Sequence, residues 1–268
     1  MVKICFVNIT VERISQPYYD LVRQLFPKVL RPGTEVSFKS VEPGLESLAV
    51  SSSAYFDLLN KKEIIEKIME AEKEGFDAAL VGCFEDPGVR EAREVVNIPV
   101  IGIGEASMLL ACMLGHRFAV VTANDNKVAT NLEVMIKLQG LQERAITHPV
   151  RTISMANRDV FTKGFQEPYL IVSDILDKAR GCVADGAEVV IVGCAGLAPH
   201  CTLSGVTMVD ETGAQLLDCV VIGLKAAEAI VDLKDRLGWP AISRAGIYAM
   251  PREKDIKRVR SMFGLKPF

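Results

Sequence analysis

The chain has 268 residues, 49% hydrophobic and 24% charged, with 31 Lys and Arg against 34 Asp and Glu. That composition is ordinary for a globular protein able to bury a full core, and a formal net charge of −3 leaves no electrostatic footprint for nucleic acid. No apolar run approaches the ~20 residues of a membrane span, so no membrane partner is expected.

The first residues, M-V-K-I-C-F-V-N, read as a strand and lack the three regions of a secretory signal. Short runs rich in Val and Ile at 3–8, 35–41, 78–82, 99–103, 117–122, 146–150, 188–193 and 205–209 predict strands. Amphipathic stretches at 17–30, 61–74, 88–96, 105–115, 125–139, 168–185 and 211–237 predict helices between them. In 61–74 the residues Ile64, Ile65, Ile68 and Ala71 recur at helical spacing, and Gly75 is a natural stop. Alternating strands and helices predict an α/β fold with mostly parallel sheets covered on both faces. From Trp239 onward the sequence reads as a Trp-Pro turn, a loop and a basic helix with Arg252, Lys254, Lys257, Arg258 and Arg260, expected to be a solvated face.

One nine-residue segment occurs twice. Residues 75–83 read G-F-D-A-A-L-V-G-C and residues 186–194 read G-A-E-V-V-I-V-G-C. The likeness extends outward: Lys3–Asn8 resembles Arg117–Thr122, and the helix entered at Glu105-Ala106 resembles one entered at Thr212-Gly213-Ala214. The pattern predicts two similar lobes, each with a parallel four-stranded sheet, related by a pseudo-twofold axis. The first would hold residues 1–104 and, with the C-terminal extension, about 215–268. The second would hold 105–214. Ligands of open parallel sheets sit beyond the carboxyl ends of the strands, so the cleft between the lobes is the expected site.

Each repeat ends in a cysteine, Cys83 or Cys194, placed where a strand meets a tight loop. Loop N–H groups and a nearby helix N-terminus favour thiolate, so both thiols are expected below the free value of ~8.5. Two symmetry-related thiols suit a reaction in which a proton leaves one face of a carbon and returns to the other. A lone Gly-Cys at a strand end is more often packing; two in equivalent positions are not. Cys5, Cys112, Cys182, Cys201 and Cys219 have no repeat partner and read as packing. With seven cysteines and no C-x-x-C, neither a disulfide framework nor a zinc finger is expected. Cys194, His200 and Cys201 have the letters of a metal site but not its spacing or a fourth ligand, so no metal is assigned. Reduced thiols fit a cytoplasmic chain.

The motifs C-F-E-D-P-G at 83–88, I-G-I-G-E-A-S at 101–107, F-A-V-V-T at 118–122, V-G-C-A-G at 192–196 and E-P-G-L-E-S at 42–47 resemble the aspartate/glutamate/hydantoin racemase superfamily, in its hydantoin and allantoin racemase branch. The likeness spans about residues 1–230. It implies two α/β lobes, no cofactor, a homo-oligomer, and a two-base mechanism in which Cys83 and Cys194 exchange the proton at the substrate α-carbon. In the amino-acid racemases of the superfamily the residue after each cysteine is typically Asn or Thr and holds the substrate carboxylate. Here Phe84 and Ala195 follow, which points away from free aspartate or glutamate and toward a cyclic ureide held by backbone amides, including that of Gly196. The first strand departs from the branch pattern, keeping Asn8 but losing the asparagine that usually follows.

Position adds further candidates. Asn8 ends the first strand, and Thr122 and Asn124 end its repeat partner, where they would bind substrate or cap the following helices. Glu105 is read as a helix-start carboxylate, and Glu85 and Asp86 as caps of the helix that follows them. The expected function is a cofactor-independent racemase of a small cyclic ureide, a 5-substituted hydantoin or allantoin. The rivals are a racemase of acyclic amino acids, a decarboxylase or isomerase using one thiol, and a two-lobed binding protein without catalysis.

Overall fold

The computed structural model describes residues 1–47 and 52–266. The first half runs β1 (Val2–Thr10), α1 (Glu12–Arg23), α2 (Phe26–Val29), β2 (Thr34–Leu45), α3 (Ala54–Lys73), β3 (Ala78–Val81), α4 (Val89–Arg93), β4 (Val100–Gly102) and α5 (Ile103–Leu114). The second runs β5 (Phe118–Thr122), α6 (Asn126–Leu138), β6 (Ala145–Thr152), a single turn α7 (Asn157–Asp159) leading into a π-helical segment Val160–Gly164, then α8 (Pro168–Ala184), β7 (Val189–Val192), α9 (Ala198–Leu203), β8 (Gln215–Asp218) and α10 (Cys219–Leu237). A last helix, α11 (Glu253–Met262), closes the described chain.

Two four-stranded sheets result, ordered β2-β1-β3-β4 and β6-β5-β7-β8, with all pairings parallel. The orders are the same, lobe for lobe. Each repeated segment becomes the strand beside the central one: β3 pairs with β1 and β7 with β5. All four residues of β3, and all four of β7, are buried, because helices cover both faces. That is why the repeat reads as an unbroken apolar run. Along β1 the sides alternate. Cys5 and Val7 join a cluster with Ile64, Ile68, Ala79 and Val81. Ile4 and Phe6 join the larger core.

The glycine before each cysteine has a steric cause. A Cβ on Gly82 would lie 2.1 Å from Phe6 Cε1, and one on Gly193 would lie 2.3 Å from Val120 Cγ1. Phe6 and Val120 sit at corresponding places on the two central strands. The chain must pass close to those side chains before it turns into the cysteine loop.

Several boundaries differ from the sequence reading. The first helix begins at Glu12 rather than 17 and breaks after Arg23. Residues 205–209 form no strand; Met208 makes one isolated antiparallel bridge to Gln215, and the eighth strand is β8 instead. The helix expected from 211 therefore starts at Cys219, where Asp218 Oδ1 accepts from the backbone N–H groups of Val220 and Val221 at 2.8 and 3.2 Å. The counterpart of the α5 start is Asp218-Cys219, not Thr212–Ala214. After β8 the chain returns to the first lobe, and α10 packs along α5 and β3. Gly223 permits the approach: a Cβ there would meet Ile103 Cγ2 at 2.6 Å and Leu80 Cδ1 at 2.8 Å.

The basic C-terminal helix is not simply solvated. Arg260 donates to both carboxylate oxygens of Glu66 on α3 at 2.6 and 2.8 Å. Arg244 donates to the carbonyls of Arg93, Tyr248 and Val96. The extension thus straps the first lobe. Among the described residues no helix is long and apolar enough to cross a membrane.

Two Gly→Ala changes should have opposite signs, read by thermal or denaturant unfolding. Gly82→Ala should cost about 1–3 kcal/mol through overpacking against Phe6. Gly181→Ala, in α8 with nothing within 4 Å of the added methyl, should stabilise by up to about 1 kcal/mol.

Candidate active site

A cavity of about 470 Å³ opens between the carboxyl ends of the two sheets. Cys83 and Cys194 both line it, one from each lobe. They are close enough that negative charge on Cys194 raises the Cys83 thiol. Asn8, Phe84, Thr122, Ala195 and Gly196 also line it; Asn124 does not. Asn124 donates instead to the Ser154 carbonyl at 2.9 Å, tying together two second-lobe loops.

Asn8 and Thr122 reach the cavity with their hydrogen bonds partly spent. Asn8 Nδ2 donates to Thr10 Oγ1 at 2.8 Å and Ser15 Oγ at 2.7 Å, and its Oδ1 accepts from the Ile9 N–H at 3.0 Å. Thr122 Oγ1 donates to the Gly193 carbonyl at 2.9 Å, steadying the peptide just before Cys194. Neither side chain caps a helix. Phe84 is buried, its ring in contact distance of the Gly193 position, where a Cβ would meet it at 3.1 Å. Gly196 lies under the Phe161 ring, with a hypothetical Cβ 2.9 Å from Cζ.

Contrary to the sequence expectation, both thiols are pushed up. Cys83 is raised well above the usual thiol value, chiefly by burial, then by Glu85, against which the Glu85 N–H works to lower it; the negative charge of Asp86 and Cys194 adds to the rise. Cys194 is raised by burial, opposed by two donors, the N–H groups of Gly196 and Leu197, and the charge of Glu85 adds to the rise. The loop amides are where the sequence reading put them, but the loss of water outweighs them. The other buried thiols are inert by the same cause: burial raises Cys5 and Cys201 to about 12 and Cys182 to about 11. Among the described residues no group of three or more His, Cys, Asp or Glu side chains is arranged to hold a metal ion. His200 is buried against the edge of Phe165, ring centroids 4.9 Å apart, and burial lowers its pKa to about 4.

The acidic pair after Cys83 has two separate tasks. Glu85 lines the cavity and accepts from Asn131 Nδ2 on α6 at 2.9 Å, bridging the lobes. Asp86 caps a helix, but not the one that follows it. Its carboxylate accepts from the N–H groups of Gly104 at 2.9 Å and Glu105 at 2.6 Å, at the start of α5. Asp86 itself holds φ at +50°, a left-handed conformation uncommon outside glycine. A Cβ on Gly102 would lie 2.3 Å from Asp86 Cγ, and one on Gly104 would lie 2.0 Å from the Phe84 carbonyl oxygen. The glycines of I-G-I-G-E therefore make room for the loop C-F-E-D-P-G, and the two motifs are one structural unit. Glu105 is held by Arg93, which also donates to the Val100 carbonyl at 2.9 and 3.1 Å.

Sequence reasoning missed Tyr18, Asn60 and Asn157, all of which line the cavity. Tyr18 lies in the stretch 17–30, which the sequence marks only as a helix. Asn60 and Asn157 belong to no motif.

Comparison with known proteins agrees with this architecture. The Asp/Glu/hydantoin racemase family profile matches residues 15–227, and the chain belongs to that family, a family of isomerases. Among its relatives is the hydantoin racemase of Pseudomonas sp. (strain NS671), 32% identical over 255 residues, covering 88% of this chain and 96% of that one. The hydantoin racemase of Rhizobium meliloti is 31% identical over 192 residues, covering 71% and 73%. Among solved structures, the allantoin racemase of Pseudomonas fluorescens superposes with a TM-score of 0.73 at 27% identity, over 94% of this chain and 97% of that one.

Burial raises Asp86 to about 7, opposed by the Glu105 and Gly104 N–H groups. A carboxyl raised above its unfolded value binds its proton more tightly when folded. Its contribution to stability is present below the unfolded value of 3.8 and is lost as pH rises toward about 7. Asp86→Asn should remove that slope. The stability difference between wild type and the variant should change by on the order of 1–4 kcal/mol between pH 4 and 7, in the variant's favour at the upper end, as read by urea unfolding across pH.

Proposed function

We propose that the protein is a cofactor-independent racemase of a small cyclic ureide, a hydantoin bearing an apolar substituent at C5, and that Cys83 and Cys194 are its two bases. One observation carries the reading: the thiols of the two repeated Gly-Cys loops line a single cavity whose walls are largely apolar and whose charged lining is acidic. Among the described residues its one cationic side chain is Arg158, which pairs with Asp159 at 3.3 Å. Glu46, Asp57, Glu85 and Asp125 are also in the lining. A dicarboxylate entering such a site would shed water and meet no cation but the exposed guanidinium of Arg158. A neutral ring needs no counter-charge. Ile9, Ile14, Leu45, Val128, Leu132 and Phe161 offer the C5 substituent an apolar wall. The names of the hydantoin and allantoin racemases above support the same substrate class.

The chemistry follows from the two faces. A thiolate on one side removes the C5 proton, and the pair of electrons passes to the adjacent carbonyl as an enolate. The thiol on the other side gives its proton to C5, and the two sulfurs have exchanged protonation states. The free enzyme must hold one thiolate and one thiol, so the pair titrates as a unit. Cys194 is the better placed to be the thiolate. It has two N–H donors, whereas Cys83 has one and bears the charge of Asp86 in addition to that of Glu85, which acts on both thiols.

Cys83→Ser and Cys194→Ser should each lower racemisation of 5-benzylhydantoin by about 10²–10⁴-fold, measured by polarimetry. In D₂O each variant should retain slow C5 deuteration of one enantiomer only, opposite for the two variants, because one base still faces each ring. Wild-type racemisation in either variant would sink the two-base reading. Turnover of aspartate or glutamate but of no hydantoin would sink the substrate assignment.

A further inference from the structure

Among the described residues, three buried polar atoms in the cavity lining lack a hydrogen-bond partner. Tyr18 Oη, Asn60 Oδ1 and Asn157 Oδ1 are shielded from water and have no partner. An unpaired buried polar atom weakens a fold and persists where a ligand completes it. We propose that Tyr18 is a further catalytic residue, its hydroxyl donating a hydrogen bond to the carbonyl oxygen beside C5 as that oxygen becomes an enolate, while Asn157 Oδ1 accepts from a ring N–H and fixes the ring's orientation. The proposal rests on the hydantoin reading above.

The placement of Tyr18 supports it. The residue lies on α1, four positions after Ile14, and both line the cavity. Its ring sits edge-on to Phe6 at 6.2 Å, which anchors it against the central strand of the first sheet. Its hydroxyl is buried and feels the charges of Cys219, Cys194, Cys83 and Asp218, so both proposed bases are within electrostatic reach of it. Burial and that negative surrounding hold the phenol protonated, and a protonated phenol is a donor. Negative charge developing on the substrate oxygen would strengthen the bond in the transition state more than in the ground state.

The donor and acceptor inventory matches the ligand. A cyclic ureide alternates carbonyl oxygens with N–H groups. The unpaired set offers both kinds of partner, with a donor from the first lobe, Tyr18, an acceptor from the second, Asn157, and another acceptor from α3, Asn60 Oδ1, whose Nδ2 is committed to the Ile9 carbonyl at 2.9 Å. Tyr18 and Asn157 belong to different lobes, so substrate completes both only when the lobes are in place around it.

Steady-state kinetics on 5-benzylhydantoin, with thermal unfolding of the same preparations, tests this. Tyr18→Phe should lower kcat about 100-fold and leave KM nearly unchanged, because the lost bond forms mainly in the transition state. Its melting temperature should be equal to wild type or higher, since the change removes an unpaired buried hydroxyl. Asn157→Ala should raise KM about 10-fold with little change in kcat, since that bond is present in ground state and transition state alike. Loss of activity matched by a lower melting temperature would reduce Tyr18 to a packing residue and overturn its role. So would kcat within threefold of wild type. A shift of the acidic limb of the kcat/KM pH profile in Tyr18→Phe would assign the hydroxyl to a thiolate rather than to substrate, and overturn it also. An unchanged KM in Asn157→Ala overturns the acceptor. A wild-type enzyme inactive on 5-benzylhydantoin and 5-isopropylhydantoin overturns the hydantoin reading and this proposal together, whereas an active wild type with a near-normal Tyr18→Phe overturns this proposal alone.

Discussion

Removing a thiol from water works against its ionisation, and the structure around the cavity is organised by that constraint. Cys83 and Cys194 sit where two sheets converge and helices close off the solvent, and both thiols are raised by burial. A proton abstracted from carbon needs a strong base, and a desolvated thiolate is a stronger base than a hydrated one. The price is that the thiolate must be supported by fixed dipoles. Loop N–H groups supply them, one at Cys83 and two at Cys194. Those amides point at the sulfurs only because the chain turns sharply there, and the turn requires glycine at 82 and 193 to clear Phe6 and Val120. The repeated Gly-Cys is thus one device in two copies: the glycine allows the approach and the cysteine uses it.

The first-lobe loop is held by a contact distant in sequence. Asp86 reaches past α4 to cap α5, eighteen residues on at Gly104, and Gly102 and Gly104 leave the space. Helix α5 also leads into the second lobe and carries α10 along its side. The position of Cys83 is therefore coupled to the element that joins the lobes. Glu85, one residue earlier, touches Asn131 across the cleft. The loop is fastened at two points, one on the connecting helix and one on the opposite lobe, with the sulfur just before both.

What could be read from the sequence followed from what was local. Strands β3 and β7 are buried on both faces, so they appear as continuous apolar runs, and their identical endings exposed the duplication. The eighth strand was hidden for the opposite reason. Val-Thr-Met-Val at 206–209 has the better strand composition, but Gln215–Asp218 is the segment that pairs with β7, and that choice is made by tertiary register. The amphipathic pattern starts the first helix at 17, whereas α1 begins at Glu12 and carries Pro17 inside it. That shift concealed the face on which Ile14 and Tyr18 look into the cavity. The amide donors at the thiols were legible from the Gly-Cys loops; the desolvation that outweighs them was not, because it depends on how α1, α6 and the Val160–Gly164 segment enclose the cleft. Asn60 and Asn157 had no signal at all, since an unpaired atom is defined by what does not surround it.

The two lobes share a fold but not a charge distribution. In the first, Glu85 and Asp86 stand beside Cys83; in the second, the corresponding residues are small and bring no charge of their own, so Cys194 has two amides and feels only Glu85 from across the cleft, and the buried carboxylate, Asp218, is spent on the α10 N-terminus and on Thr202 Oγ1 at 2.7 Å. For a racemase this asymmetry has a strict limit. Enantiomers have equal free energies, so the values of kcat/KM in the two directions must be equal whatever the protein does. Unequal thiols cannot favour one product. They can only divide the barrier differently between binding and turnover, giving the two enantiomers different kcat and KM in the same ratio, and decide which sulfur waits as the thiolate. In the proposed mechanism the acidic loop biases the free enzyme toward one protonation state, and so sets which enantiomer finds it ready.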